Sequence, residues 1–172
     1  MLKMLSIIAI LLAAGPSDEM FDKLRNAPTP EEAESVASDI WASWLESGSP
    51  TVDLLMERAV AAETAGDRTH ARALYDRVIL IKADYAEPWY RRAALFYADD
   101  QLDEALRDLN ETLSLEPRHF GAWFALATLL ERLGSEEEAR DAYREALALH
   151  PHWEPARRAA GRLDKDILGT AL

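Results

Sequence analysis

Cysteine is absent from the 172 residues. Its absence removes disulfides, thiol nucleophiles, cysteine-based metal sites and lipidation on cysteine together. Basic residues are few beside acidic ones, 19 Lys and Arg against 31 Asp and Glu, for a formal net charge of −12. A chain this acidic repels phosphate backbones, so no nucleic-acid partner is expected. The glycine-rich phosphate loop and the His-Glu-x-x-His helix are also missing. His150 and His152 flank Pro151 on a turn, and without cysteine or a further nearby donor they do not complete a metal set. With no nucleophile beside a base and no paired carboxylates, no catalytic residue, metal or cofactor is assigned, and the chain is not expected to be an enzyme.

Long apolar runs are scarce as well. The one that exists, Met4 to Ala14, follows Lys3 and ends in the small, turn-prone Gly15-Pro16-Ser17. Residues 1–17 therefore read as an export signal whose apolar part is too short to span a bilayer comfortably. A cut after Ser17 or after Ala14 would leave a small residue beside the break, and an uncut segment would act as an inner-membrane anchor through residues 4–14. The expected location is the periplasm.

What the chain has in abundance is repetition. Rows of 34 residues beginning at Val52, Ala86 and Phe120 put Leu55, Trp89 and Trp123 at the fourth place. Ala59, Ala93 and Ala127 share the eighth, Ala71, Ala105 and Ala139 the twentieth, and Tyr75, Leu109 and Tyr143 the twenty-fourth. Val78, Thr112 and Ala146 share the twenty-seventh place, and Ala83, Pro117 and Pro151 the thirty-second. Small residues in two columns let a pair of antiparallel helices approach closely, and the large ones fill the space beside them. Gly66 and Gly134 sit where the first helix of a pair should end, with Asp100 in their place in the middle row. Ser135 and Glu138 suggest a capping box, and the acidic runs at Asp99-Asp100 and Glu136–Glu138 suggest helix starts. Pro117 closes one row and Phe120 opens the next, so Arg118 and His119 are expected in a solvated turn.

These columns resemble the tetratricopeptide repeat family as found in exported bacterial proteins. The resemblance implies an all-α, right-handed α-solenoid of helix-turn-helix units. Three repeats are expected at 52–85, 86–119 and 120–153, flanked by a degenerate N-terminal helix pair or cap at 18–51 and a capping helix and tail at 154–172. Thr29-Pro30 starts the long amphipathic helix of the first flank, and Glu154-Pro155 starts the last helix, with Ala156, Ala159, Ala160 and Leu163 inward.

The family's concave groove, carried over by place in the repeat, implies a partner site at Met56, Val60, Glu63, Tyr90, Tyr97, Phe124, Glu131 and Arg132, with Arg158 and Arg162 at the far end. Met56, Tyr90, Tyr97 and Phe124 would form an apolar stripe, filled by a partner or by the tail from Ile167 to Leu172. Chaperone-binding members hold a carboxylate with lysine and asparagine at the fifth and ninth places. Here those places carry Met56, Tyr90, Phe124, Val60, Ala94 and Thr128, so that clamp is absent. In the seventh column, Arg58 and Arg92 replace the family's leucine, and Arg92 is expected to pair with Asp108 or Glu111. The implied function is an adaptor or scaffold of the cell envelope that binds a peptide or protein segment. The alternative is a structural protein that associates weakly with itself.

Overall fold

A computed structural model describes residues 15–170. Most of the leader read at 1–17 and the end of the apolar tail lie outside them. Among the described residues there are nine helices and no strand: α1 (Asp18–Arg25), α2 (Pro30–Trp44), α3 (Pro50–Thr64), α4 (Arg68–Ile81), α5 (Ala86–Ala98), α6 (Leu102–Leu115), α7 (Phe120–Arg132), α8 (Glu136–Leu149) and α9 (Glu154–Thr170).

From α3 onward each helix packs on the next, which makes a solenoid of three antiparallel pairs closed by α9. The alanines of the eighth and twentieth columns are all at most 1% exposed, so each pair closes on methyl groups. Ala156, Ala160 and Leu163 of α9 seal the last pair, as a terminal cap must.

The same period governs the backbone. Three turns end the first helix of each pair with the same bond across five residues, Asp67 N–H to Ala62, Gln101 N–H to Phe96 and Ser135 N–H to Leu130, each 2.9 Å. This closure needs a left-handed residue before the donor. Gly66 (φ 79°) and Gly134 (φ 80°) supply it freely, whereas Asp100 adopts φ 62° against the repulsion of its own Cβ.

Some local expectations fail here. Ser135 precedes α8 without a side-chain capping bond, and its amide donates to Leu130 in the turn rather than to Glu138, so the capping box does not form. Asp99 ends α5 rather than starting α6, and its carboxylate meets Arg68 (3.2 Å) and Arg72 (3.7 Å) of the preceding pair. Arg92 does take Asp108, at 2.7 and 2.8 Å, but shares its remaining edge with Asp76 at 2.6 Å and leaves Glu111 alone. Its guanidinium also covers the Trp89 ring at 4.9 Å.

The N-terminal pair does not add a unit in front of α3. It folds back over the edge where the repeats join, and α1 packs against α8. Phe21, Leu24, Ala33, Ala37, Ile40 and Trp44 form a core with Phe120 of α7, flanked by Leu149 and Trp153.

Asp100 generates the first prediction. Asp100→Gly removes the left-handed strain and forfeits only the exposed pair with Arg132. It should stabilise the fold by about 1 kcal/mol, raising Tm by roughly 2 to 4 °C. Thermal unfolding checks this, and a lowered Tm would contradict it.

Candidate functional site

The concave face is built by α3, α5 and α7, and two different things happen along it. At its joint end α2 lies on it. Trp41 packs on Tyr90 (ring centroids 5.6 Å), Phe120 (5.3 Å) and His119 (5.4 Å), while Trp44 stacks on His119 at 4.0 Å with planes 5° apart. Gly121, second residue of α7, makes room for this: a Cβ there would fall 2.8 Å from Trp41 Cζ2. The Trp44 carbonyl accepts from the Tyr85 hydroxyl at 2.7 Å.

The docking surface is the last place of each row, held by Tyr85, His119 and Trp153. Residue types with rings recur there in all three rows, a column that the alignment by small and large residues passes over. Each arrives in the same way, its amide bonded three residues back at 3.1 to 3.3 Å.

His119 is thus no solvated turn residue. It is fully buried, and its Nδ1 accepts the Ala122 N–H at 3.0 Å to cap α7. That leaves Nε2 to carry the proton and donate to Glu87 at 3.2 Å. Glu87, also fully buried, accepts from Arg91 Nε at 2.6 Å, and Arg91 reaches Glu63 at 3.4 Å. Arg118 turns inward as well, pairing with Asp18 (2.6 Å) and Glu116 (2.9 Å) and covering the Phe21 ring at 4.3 Å. Both residues were misassigned because the helices that cover them, α1 for Arg118 and α2 for His119, lie far back in the chain.

Met56 is also corrected. It is 2% exposed in the core of the first pair, so it offers nothing to a groove partner. Tyr90 is half-buried beneath Trp41, and its burial, with the Glu87 charge close by, pushes its hydroxyl up to about 12. The apolar stripe is therefore interrupted. Ile167 packs on the core of the last repeats, and the end of the tail lies outside the described residues.

The other half of the face is open. In the first and third repeats the twelfth and twenty-fourth places are tied together. Tyr75 donates to Glu63 at 2.5 Å and Tyr143 donates to Glu131 at 2.6 Å. The middle repeat has Tyr97 and Leu109 at these places, so no such bond can form. A mostly apolar cavity of about 190 Å³ opens there, lined by Ala93, Ala94, Tyr97, Leu109, Phe124, Ala125 and Thr128. Phe124 is propped edge-on by Tyr143 (5.2 Å) and tilted against Trp153 (4.7 Å).

Charges rim the cavity. Arg132 lies 5.2 Å over the Tyr97 ring while pairing with Asp100 at 2.6 Å, and Glu131 is bridged to Arg162 of α9. Arg158 is exposed and meets only Glu154 of its own helix among its ion pairs, and Val60 is half-buried on α3. Tyr97, Phe124, Glu131 and Arg132 are thus brought together with Arg162, while Met56, Tyr90 and Arg158 are not. Among the described residues no three metal-ligating side chains converge.

Residues 90–152 match a family model described as tetratricopeptide repeat. A TPR repeat-containing protein of Rhizobium etli is 32% identical over 152 residues, which are 88% of this chain and 74% of that protein. The TPR domain of Sgt2 from Aspergillus fumigatus is similar in structure, with a TM-score of 0.65 at 20% identity over 72% of this chain and 83% of that one. The first TPR of Spaghetti, solved bound to an HSP90 peptide, gives 0.65 at 18% identity over 68% of this chain and 93% of that one. Both likenesses are of fold.

Two outcomes test the docked pair. Gly121→Leu puts a side chain where Trp41 lies, so trypsin should cut at Lys23 and Arg25 several-fold faster while α3–α9 resists. Unchanged cutting would mean that α2 is not seated there. The second concerns His150, which is buried against Phe120 and Trp153 with Nδ1 lacking a hydrogen-bond partner among the described residues. Burial, helped by neighbouring His152, brings it down to about 4 from an ordinary 6.5. The folded state therefore excludes a proton that the unfolded chain takes up, and stability is full above 6.5 and falls as pH drops towards 4. Tm should decline between pH 7 and 5, and His150→Leu should flatten that decline.

Proposed function

The chain belongs to the tetratricopeptide repeat family, and from that premise we propose that it is a protein-binding adaptor whose middle repeat receives an apolar side chain of a partner segment. The observation that carries this reading is the Tyr97–Leu109 combination. Where the flanking repeats tie a tyrosine to a glutamate, this one leaves a small apolar cavity between two helices, with Phe124 and Tyr97 as its walls. A cavity of this kind, walled by aromatic rings and rimmed by charge, suits an anchor residue at the centre of an interface.

A structural neighbour is bound to an HSP90 peptide. The residues at the fifth and ninth places here are apolar or neutral, so the mode proposed for this chain is different: it grips a hydrophobic side chain in the middle of a segment. Arg132 and Glu131 give the rim two signs of charge and so a direction to the bound segment. The net charge of −12 favours a partner that is basic around its anchor. With the leader, this supports an adaptor of the bacterial cell envelope, working outside the inner membrane.

One feature favours self-association as a second reading. Leu80 is 87% and Ile81 57% exposed at the end of α4, and Leu54 is 48% exposed on α3, where no preceding repeat covers the stack. Solution mass at rising concentration separates the two readings.

The test exchanges the middle repeat for its neighbours' chemistry. Tyr97→Glu with Leu109→Tyr rebuilds the tyrosine–glutamate tie and fills the cavity. The parent and this variant, tagged and expressed in the native host, should both fold, and partners that co-purify with the parent should be depleted at least tenfold with the variant. Equal recovery would remove the cavity from consideration.

A further inference from the structure

A repeat in a solenoid lays its first helix on the second helix of the repeat before it. The third, seventh and tenth places of a row fall on one side of that first helix, and in two rows this side is occupied. On α5 they hold Pro88, Arg92 and Leu95, and on α7 Ala122, Leu126 and Leu129. All but Arg92 are buried. Leu95 enters the core of α3 and α4, Arg92 reaches Asp76 of α4, and the three α7 residues share a core with Ala105 and Leu109 of α6.

The same side of α3 carries no helix. Its third place, Leu54, is 48% exposed, and Arg58 and Ala61 at the seventh and tenth are exposed with it. The helix that precedes α3 in the chain, α2, lies elsewhere, on Tyr90 and His119. The charges on this side are unanswered too. Arg92 is met by Asp108 of its own pair and by Asp76 of the pair before it. Arg58 has neither, since Leu74 stands where the second row has Asp108 and no pair precedes. Glu57, one residue earlier, is likewise exposed, and among the described residues neither Glu57 nor Arg58 meets an opposite charge.

Resting on the self-association reading, we propose that this side of α3 is a two-fold interface between copies of the chain, in which α3 crosses α3 of a second copy in antiparallel direction. A two-fold axis between Glu57 and Arg58 sets Glu57 of each copy against Arg58 of the other. It also sets Leu54 of each copy against Ala61 of the other, so a large side chain meets a small one, as in the alanine columns of the repeat itself. A partner of unrelated sequence would have to bring a base, an acid and a small residue in this order. A second copy brings them by symmetry, because the face complements itself. Leu80 and Ile81 at the end of α4 stand beside the start of α3 and widen the apolar surface at that end.

The experiment measures the solution mass of the full chain by sedimentation, from micromolar to millimolar concentration. The parent should rise from one chain towards two. Glu57→Arg alone and Arg58→Glu alone each oppose like charges across the axis, and each should move the midpoint to about tenfold higher concentration. Both sites are exposed, so Tm and helical circular dichroism should match the parent's. An equimolar mixture of the two variants, one with two bases and the other with two acids, should regain the parent's midpoint. A parent that stays a single chain throughout overturns the interface and the self-association reading together, and leaves this side of α3 to another protein or to the segment before Gly15. Association that neither variant weakens, or that the mixture does not restore, overturns the interface and leaves the self-association reading standing.

Discussion

Everything in this molecule depends on the contact between two columns of alanine. Ala59, Ala93 and Ala127 of the first helices and Ala71, Ala105 and Ala139 of the second are each at most 1% exposed. With only a methyl group at the crossing, the helix backbones close to a distance that no larger side chain permits, and that distance recurs unchanged along the stack. Repetition of one geometry then places every joint on the same edge. It also places the last residue of each row, Tyr85, His119 and Trp153, in a line on that edge. The surface that receives α2 is thus a product of the repeat spacing, and so is the spacing between cavity walls on α5 and α7.

The parts of the fold legible in the sequence are those decided within a row or between adjacent rows. Alanine columns, helix-ending glycines and the pairing of Arg92 with Asp108 each involve partners at most sixteen residues apart. What could not be read concerns the return of α1 and α2. Arg118 and His119 have the composition of an exposed turn, and only the arrival of Asp18, Phe21 and Trp44 half-covers the first and buries the second. Nothing local to residues 117–120 encodes that arrival. The column of ringed side chains at the end of each row was the available signal, because a ring at every joint has no task in the repeat itself. The capping role assigned to Ser135 failed for a different reason. Its amide serves a turn set by the left-handed residue before it, which removes the Glu138 half of the capping box, and its hydroxyl makes no capping bond.

For the site, the columns at the twelfth and twenty-fourth places were both visible, yet their coupling was not. Glu63 and Tyr75 are a pair, and so are Glu131 and Tyr143, only because antiparallel helices bring those places together across a short turn. Once the tie is recognised, the middle repeat stands out by exchange: a tyrosine occupies the glutamate's place and a leucine the tyrosine's. The result is one apolar cavity between two polar stitches. The stitches matter to it as much as its lining, since the Tyr143 ring that Glu131 and Thr128 hold in place is the ring that props Phe124. The walls are thus already positioned, and the anchor side chain proposed for this cavity would lose little free energy to ordering them.

The docked helix pair sets a limit on what can bind. A segment lying along the full concave face would have to displace Trp41 from Tyr90 and Gly121 and Trp44 from its stack on His119. That stack covers the buried inner half, His119 and Glu87, of a chain of polar groups that runs on through Arg91 to Glu63. Water entering there would weaken each link at once, because such pairs hold only while every partner is present. Removing α2 is therefore far more costly than filling the open cavity, whose walls need no rearrangement. The binding surface we propose is accordingly short: it runs from Tyr97 and Phe124 towards Glu131, Arg132 and Arg162, and turns away from the joint edge. The partner segment proposed for it carries a single large apolar residue among basic groups.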